Sequence, residues 1–191
     1  NDQSTLNPEG ISNLLGCNFY ETFKPNTTWR DTLEDVKNKL DNGVPIEDVF
    51  EEVRIDNNLV LVCLSGRWNF LVEGNTFLCD RWYDYVGSFS EGFAAVIDNN
   101  KGYNFINSEG KEICTRWYGE VDEFHEGFAK VYDSSKGWNF INHEGKEICD
   151  HWYYDVCDFS EGFAKVEDGA NGYNLINHNG NEICDRWYDF V

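Results

Sequence analysis

Trp82, Trp117, Trp152 and Trp187 follow one another at a constant step of 35 residues. The same step carries Cys79 to Cys114, Cys149 and Cys184, and Gly92 to Gly127 and Gly162. Between 96–130 and 131–165, 23 of 35 positions are identical. A period of this length marks a repeat architecture, in which each unit buries its apolar face against the next. A residue that returns in every copy therefore answers first to a recurring structural need.

The unit reads as β. Phe128–Asp133, Trp138–Asn142 and Glu147–Asp150 are short apolar or alternating runs, separated by turns at 134–137 and 143–146. Aromatic and β-branched residues between Gly, Asn and Asp turns predict strands. The three runs predict a three-stranded meander. The aromatic stretch from Trp152 to Phe159 leads on to the next unit and is a candidate fourth strand. Gly92, Gly127 and Gly162 fit a positive φ or a close backbone approach.

Residues 1–56 lack the repeat. Trp29 to Asp41 predicts a helix, with Thr27 or Thr28 as cap, Asn42-Gly43 after its end, and an apolar stripe of Leu33, Val36 and Leu40. A second helical stretch is expected after Pro45, through Ile46, Val49 and Phe50. The domain reading is a helical cap over 1–56 and a β-repeat domain over 57–191.

The repeat resembles the WG repeat, a bacterial β-rich repeat. The resemblance rests on Lys136-Gly137-Trp138-Asn139-Phe140-Ile141-Asn142, on Glu144-Gly145-Lys146-Glu147-Ile148, and on Phe159-Ser160-Glu161-Gly162-Phe163-Ala164. It spans 59–191, about 70% of the chain. The copy is divergent. Asn69, Asn104, Asn139 and Asn174 stand where the repeat has Gly, and the preceding aromatic alternates between Trp68 or Trp138 and Tyr103 or Tyr173. The resemblance implies interaction or structural roles and carries no catalytic residues with it.

Charge narrows the function classes. The net charge is -20, with 12 acidic and 5 basic residues over 1–58 and 23 against 10 beyond. Acidity spread along the whole chain disfavours direct binding of nucleic acid or of anionic membranes, and suits solubility or a basic protein partner. No apolar run reaches the roughly 20 residues of a membrane helix. Seven cysteines without CxxC spacing read as buried thiols. They favour the cytoplasm over a disulfide between neighbouring repeats. The chain begins at Asn1 and has no Met, so a removed leader and secretion stay open. Asn26-Thr27-Thr28 fits a glycosylation sequon by a match expected from chance.

The candidate chemistry is weighed position by position. The four tryptophans could form a row of sugar platforms, but their Ile and Cys neighbours favour packing. Arg81, Arg116 and Arg186 beside them suit cation–π stacking. Asn is a poor strand residue, so its return at 69, 104, 139 and 174 predicts a side-chain ladder between units, with a ligand-facing amide row as the second reading. A specialised surface is expected on Asn104, Asn139, Asn174, Tyr103 and Trp138. The carboxylates at 91, 126 and 161 and at 98, 133 and 168 fit turn caps, and no EF-hand spacing occurs. His125, His143, His151 and His178 read as solvated turn residues, since Cys149 and His151 have no second pair to complete a zinc site. No metal, cofactor, phosphate loop or nucleophile elbow is expected.

These readings predict a mainly β fold. Antiparallel meanders form an open, elongated or propeller-like array behind a helical cap. The expected function is a non-catalytic module for protein interaction or scaffolding, with a carbohydrate or cell-envelope binder and an acidic inhibitor or nucleic-acid mimic as alternatives.

Overall fold

The computed structural model describes residues 29–56 and 59–189. The expected caps at Thr27 and Thr28, the Asn26 sequon, Cys17 and Val191 lie outside the described residues.

Helix α1 (Trp29–Asp41) turns its Leu33, Val36 and Leu40 stripe onto the first sheet. It ends in a Schellman turn. Gly43 has φ 76°, its N–H donates to the Leu40 carbonyl, and the Val44 N–H donates to Lys39. The stretch after Pro45 forms only a 3-10 turn, Ile46–Asp48. It delivers Phe50 beneath Val36 and Leu40, where Val62, Leu71 and Trp82 close a small apolar core.

Four antiparallel sheets follow. The first is β1 (Glu52–Asp56), β2 (Leu59–Leu64), β3 (Arg67–Val72) and β4 (Thr76–Phe77), in that order. Its edge strand β1 comes from the segment read as cap. The second is β5 (Tyr85–Ser90), β6 (Phe93–Asp98) and β7 (Gly102–Asn107). The third is β8 (Glu120–His125), β9 (Phe128–Asp133) and β10 (Gly137–Asn142). The fourth is β11 (Asp155–Val156), β12 (Phe163–Asp168) and β13 (Gly172–Asn177).

The strand composition of the unit differs from the expected one. Glu147–Asp150 is not a strand and meets β10 through the Ile141–Glu147 bridge, one bond from the Ile148 N–H to the Phe140 carbonyl at 3.0 Å, and the Asn139 side chain. The stretch joining two units supplies the missing strand and becomes the leading edge of the next sheet: β8 pairs with β9, and β11 with β12. After the Ile148 N–H has bonded Phe140, the Asn139 side chain takes the Cys149 carbonyl at 2.8 Å and the ladder goes no further.

Central strands alternate as their sequences require. Ala94 and Val96, Ala129 and Val131, and Ala164 and Val166 are buried. The third strands of the first three sheets are buried on both faces. Phe70, Phe105 and Phe140 each leave their own sheet and fill the core of the next one. A fully buried Phe of this kind contributes about 2–3 kcal/mol.

The units are also stitched through the main chain. The Tyr153 N–H and carbonyl pair with Trp138 at 2.8 and 2.8 Å, and the next N–H, of Tyr154, donates to Glu167 at 2.8 Å. Tyr83 pairs with Trp68 and Tyr118 with Tyr103 in the same way. Gly137 lies opposite the Tyr153 carbonyl at φ 105°, and a Cβ there would be driven into that oxygen. Gly92, Gly127 and Gly162 have positive φ as expected. Each follows a Glu that is also left-handed, so these hairpins are type I′ turns in open space.

These environments separate two glycines. Gly137→Ala should cost about 3 kcal/mol or more, because the methyl must displace a hydrogen-bonded carbonyl. Gly127→Ala should cost about 1–2 kcal/mol from backbone strain alone. Denaturant midpoints measure the difference, and equal losses would contradict the main-chain stitch.

Candidate functional site

The recurring residues are spent inside the protein. Asn69, Asn104, Asn139 and Asn174 are at most 1% exposed. The Asn104 amide nitrogen donates to the Cys114 carbonyl at 3.1 Å. Its oxygen accepts from the N–H groups of Phe105 at 2.7 Å and Cys114 at 3.2 Å. Asn69 and Cys79, and Asn174 and Cys184, repeat the arrangement. The amide thus clamps the non-strand Ile-Cys segment of its own unit. This replaces both the ladder between units and the binding surface expected at Asn104, Asn139 and Asn174. These side chains face inward because that segment has no sheet partner to take its backbone groups. Tyr103 and Trp138 are half-buried and supply main-chain bonds to Tyr118 and Tyr153.

The cysteines follow burial. The thiols of Cys63, Cys79 and Cys114 are buried, and burial pushes them up to about 12. They stay protonated and unreactive at neutral pH. Cys149 and Cys184 are half-buried and Cys157 is exposed, unlike the buried thiol expected there; all six described cysteines are free. Among the described residues, no three His, Cys, Asp or Glu side chains gather around a metal-sized point. No described helix is long and apolar enough to cross a membrane.

The tryptophans sit around the rim of each core. Trp82 is buried under the helical cap, whereas Trp117, Trp152 and Trp187 are half-buried. Arg81 reaches forward over Trp117 at 5.6 Å and pairs with Glu112 and Asp98 at 3.4 and 3.6 Å. Arg116 lies over Trp152 at 5.3 Å and pairs with Asp133 and Glu147. At the third junction His151 takes this place, 3.5 Å from Asp168.

The turn glutamates form a second set of links. Glu126 accepts the N–H groups of Glu161 and Gly162 one unit ahead, at 2.8 and 2.9 Å. Glu91 accepts that of Gly127 at 2.9 Å. The turn histidines join them: His143 contacts Glu91 at 3.1 Å and stacks on Phe93, and His178 contacts Glu126 at 3.6 Å beside Phe128 and Phe159. They bridge two units rather than standing free in solvent. Backbone donors at Gly162 and Glu161 hold the Glu126 carboxyl below its usual range.

Two surfaces among the described residues are accessible to a partner. One is the outer edge of β8 and the start of the fourth sheet, where Glu120, Asp122, Glu123, Asp155 and Asp158 are exposed. Lys130 ties Asp122 to Asp158 at 2.9 and 3.0 Å. The other is a cleft of about 440 Å³ between the third and fourth sheets, lined by Tyr132, His151, Trp152, Tyr154 and Asp168 among others. Nothing periodic points to this cleft. The signal that finds it is the set of positions where the repeat is broken.

The WG containing repeat family matches the chain at 83–101 and 138–171, so the chain carries this repeat. No curated protein matches it. Among solved structures, BamB from Moraxella catarrhalis is 12% identical with a TM-score of 0.39, over 69% of this chain and 48% of BamB. The computationally designed Ika4 protein is 10% identical with a TM-score of 0.40, over 65% and 88% of the two chains. The WD40 β-propeller domain of Doa1 is 13% identical with a TM-score of 0.34, over 69% and 52%. The chain thus spans about half the length of BamB. Likeness at these scores adds nothing to what the strands themselves show.

Two stability measurements probe these links. Asn104→Leu leaves two buried N–H groups and a carbonyl unpaired, at about 1–3 kcal/mol each, so urea unfolding should show a loss of about 3 kcal/mol or more. A near-neutral Leu would rule out the clamp. Because Glu126 is held below its ordinary value of 4.5, its contribution is complete above that pH and is lost as pH falls through the folded value. The melting-temperature gap between the native chain and Glu126→Gln should therefore be widest at neutral pH and close on acidification. A gap that is constant with pH would contradict the link.

Proposed function

We propose that this chain, carrying WG containing repeats, is a non-catalytic interaction module that docks a basic protein partner. The observation behind this reading is the exposed acidic edge formed by Glu120, Asp122, Glu123, Asp155 and Asp158, against which the adjacent Lys130 is largely covered. Stacked units turn a short acidic strand into an extended surface. The recurring Asn residues fasten a segment of their own unit, and the recurring Glu and Arg residues join successive units. The buried thiols are too weakly acidic to act as nucleophiles. A net charge of -20 speeds encounter with a cationic surface and repels a phosphate backbone.

Charge on an edge strand also keeps sheets from pairing with other chains, and the test separates the two roles. Cross-linking of the native chain in extract from its source should capture basic proteins, with capture falling as salt rises. Replacing Glu120, Glu123 and Asp155 together by Lys should slow association about tenfold or more and leave the chain monodisperse. Capture indifferent to both salt and charge reversal would refute the reading, as would self-association without any loss of capture.

A further inference from the structure

Every junction between units shares one backbone frame, so a difference in side chains between junctions is informative. The second and third sheets' units share 23 of 35 aligned residues, which leaves 12 differences. Five of the 12, at Tyr132, Ser134, Ser135, His151 and Tyr154, line the cleft between the third and fourth sheets. Their counterparts one unit earlier are Ile97, Asn99, Asn100, Arg116 and Gly119. At that earlier junction the equivalent position is Arg116, paired to Asp133 and stacked over Trp152. In the cleft the shorter His151 takes its place, and Tyr154 adds an aromatic ring where Gly119 and Asp84 stand in other copies.

We propose that this cleft is a binding site for a neutral saccharide, with Tyr154 as the platform for the C–H face of a sugar ring. Tyr154 is 73% exposed. Its backbone is fixed by the bond to Glu167, and its ring lies against Gly169. The platform is therefore anchored at its backbone and accessible at its ring. Asp168, held by the Ala170 N–H at 3.0 Å, stands 3.5 Å from His151 and offers an acceptor beside a ring nitrogen. Ser134 and Lys136 complete the polar side. A cleft of about 440 Å³ with aromatic walls and a few placed polar groups has the size and make-up of a small-molecule site.

Charge selects the ligand class. An anion meets Asp168 and the field of a chain at -20. A cation is drawn by that field but has to displace Lys136, already placed over Trp152 at 5.0 Å. A molecule with an apolar face and uncharged hydroxyls meets neither penalty. A concavity at the first junction, lined by Ser65, Arg67, Asp80, Arg81 and Trp82, differs, because its described lining holds two arginines and a buried aromatic ring.

The repeat supplies its own controls. Tyr154→Asp and His151→Arg restore residues that other copies carry on the same frame, so both variants should fold with unchanged melting temperatures. The probes are neutral hexasaccharides of glucose, N-acetylglucosamine, xylose and mannose, titrated into the full chain by calorimetry and tryptophan emission. At least one should bind and shift the emission, since Trp152 lines the cleft. Tyr154→Asp should weaken it by about three- to tenfold, the worth of one aromatic contact, and His151→Arg should do so by lengthening the side chain there. The proposal is overturned if no hexasaccharide binds, if both folded variants bind as the native chain does, or if only an oligolysine or heparin probe occupies the cleft. The acidic strands are not involved, so failure here leaves the protein-partner reading standing, and the reverse also holds.

Discussion

Main-chain pairing on both sides of one tyrosine segment holds the array together. At Tyr153 the backbone bonds back to Trp138, and the next residue bonds forward to Glu167. Two sheets that are otherwise separate therefore share a hydrogen-bonded seam. The seam needs Gly137, because any side chain there enters the Tyr153 carbonyl. It also forces the chain to leave the unit as an extended strand. The phenylalanines that plug from one unit into the next, Phe70, Phe105 and Phe140, can do so only once this spacing is set.

The asparagine clamp is the counterpart of the seam. An Ile-Cys segment that runs beside the third strand without joining it has backbone groups to satisfy in a dry interior. At Asn104 one buried amide satisfies two of them, the Cys114 N–H and carbonyl, together with the Phe105 N–H of the strand itself. The price of a polar group in the core is offset by the groups it pairs. This explains why Asn stands where the related repeat has Gly: a Gly there would leave the Ile-Cys segment to other donors. The glutamate, arginine and histidine links then work at the surface, where each is individually weak and their value lies in joining successive units.

Much of the architecture was legible in the sequence because a period of 35 survives any error about a single residue. The helix over Trp29–Asp41, the strands at Phe128–Asp133 and around Trp138–Asn142, and the positive φ at Gly127 follow from local pattern and chemistry. The misplaced element, Glu147–Asp150, failed for a physical reason. Its Ile and Cys are half-buried as strand residues could be, but past one bond to Phe140 a side chain instead of a neighbouring strand takes its backbone. The asparagines were misread in the same way: recurrence marked them as important and was silent on which direction they face.

The cleft shows the limit most clearly. Periodicity singles out what all units share, whereas Tyr132, His151 and Tyr154 are set apart by not repeating. In the chain they are separated by up to 22 positions, and only the stacking of the third sheet on the fourth brings them to one wall. The sequence by itself determined that the chain is a β-repeat array with an acidic surface, since period, turn residues and charge are properties of local order. The tertiary structure alone decided which recurring side chains are consumed inside and where the irregular ones meet. Burial and contact depend on how each unit is rotated against the next, which no local pattern encodes.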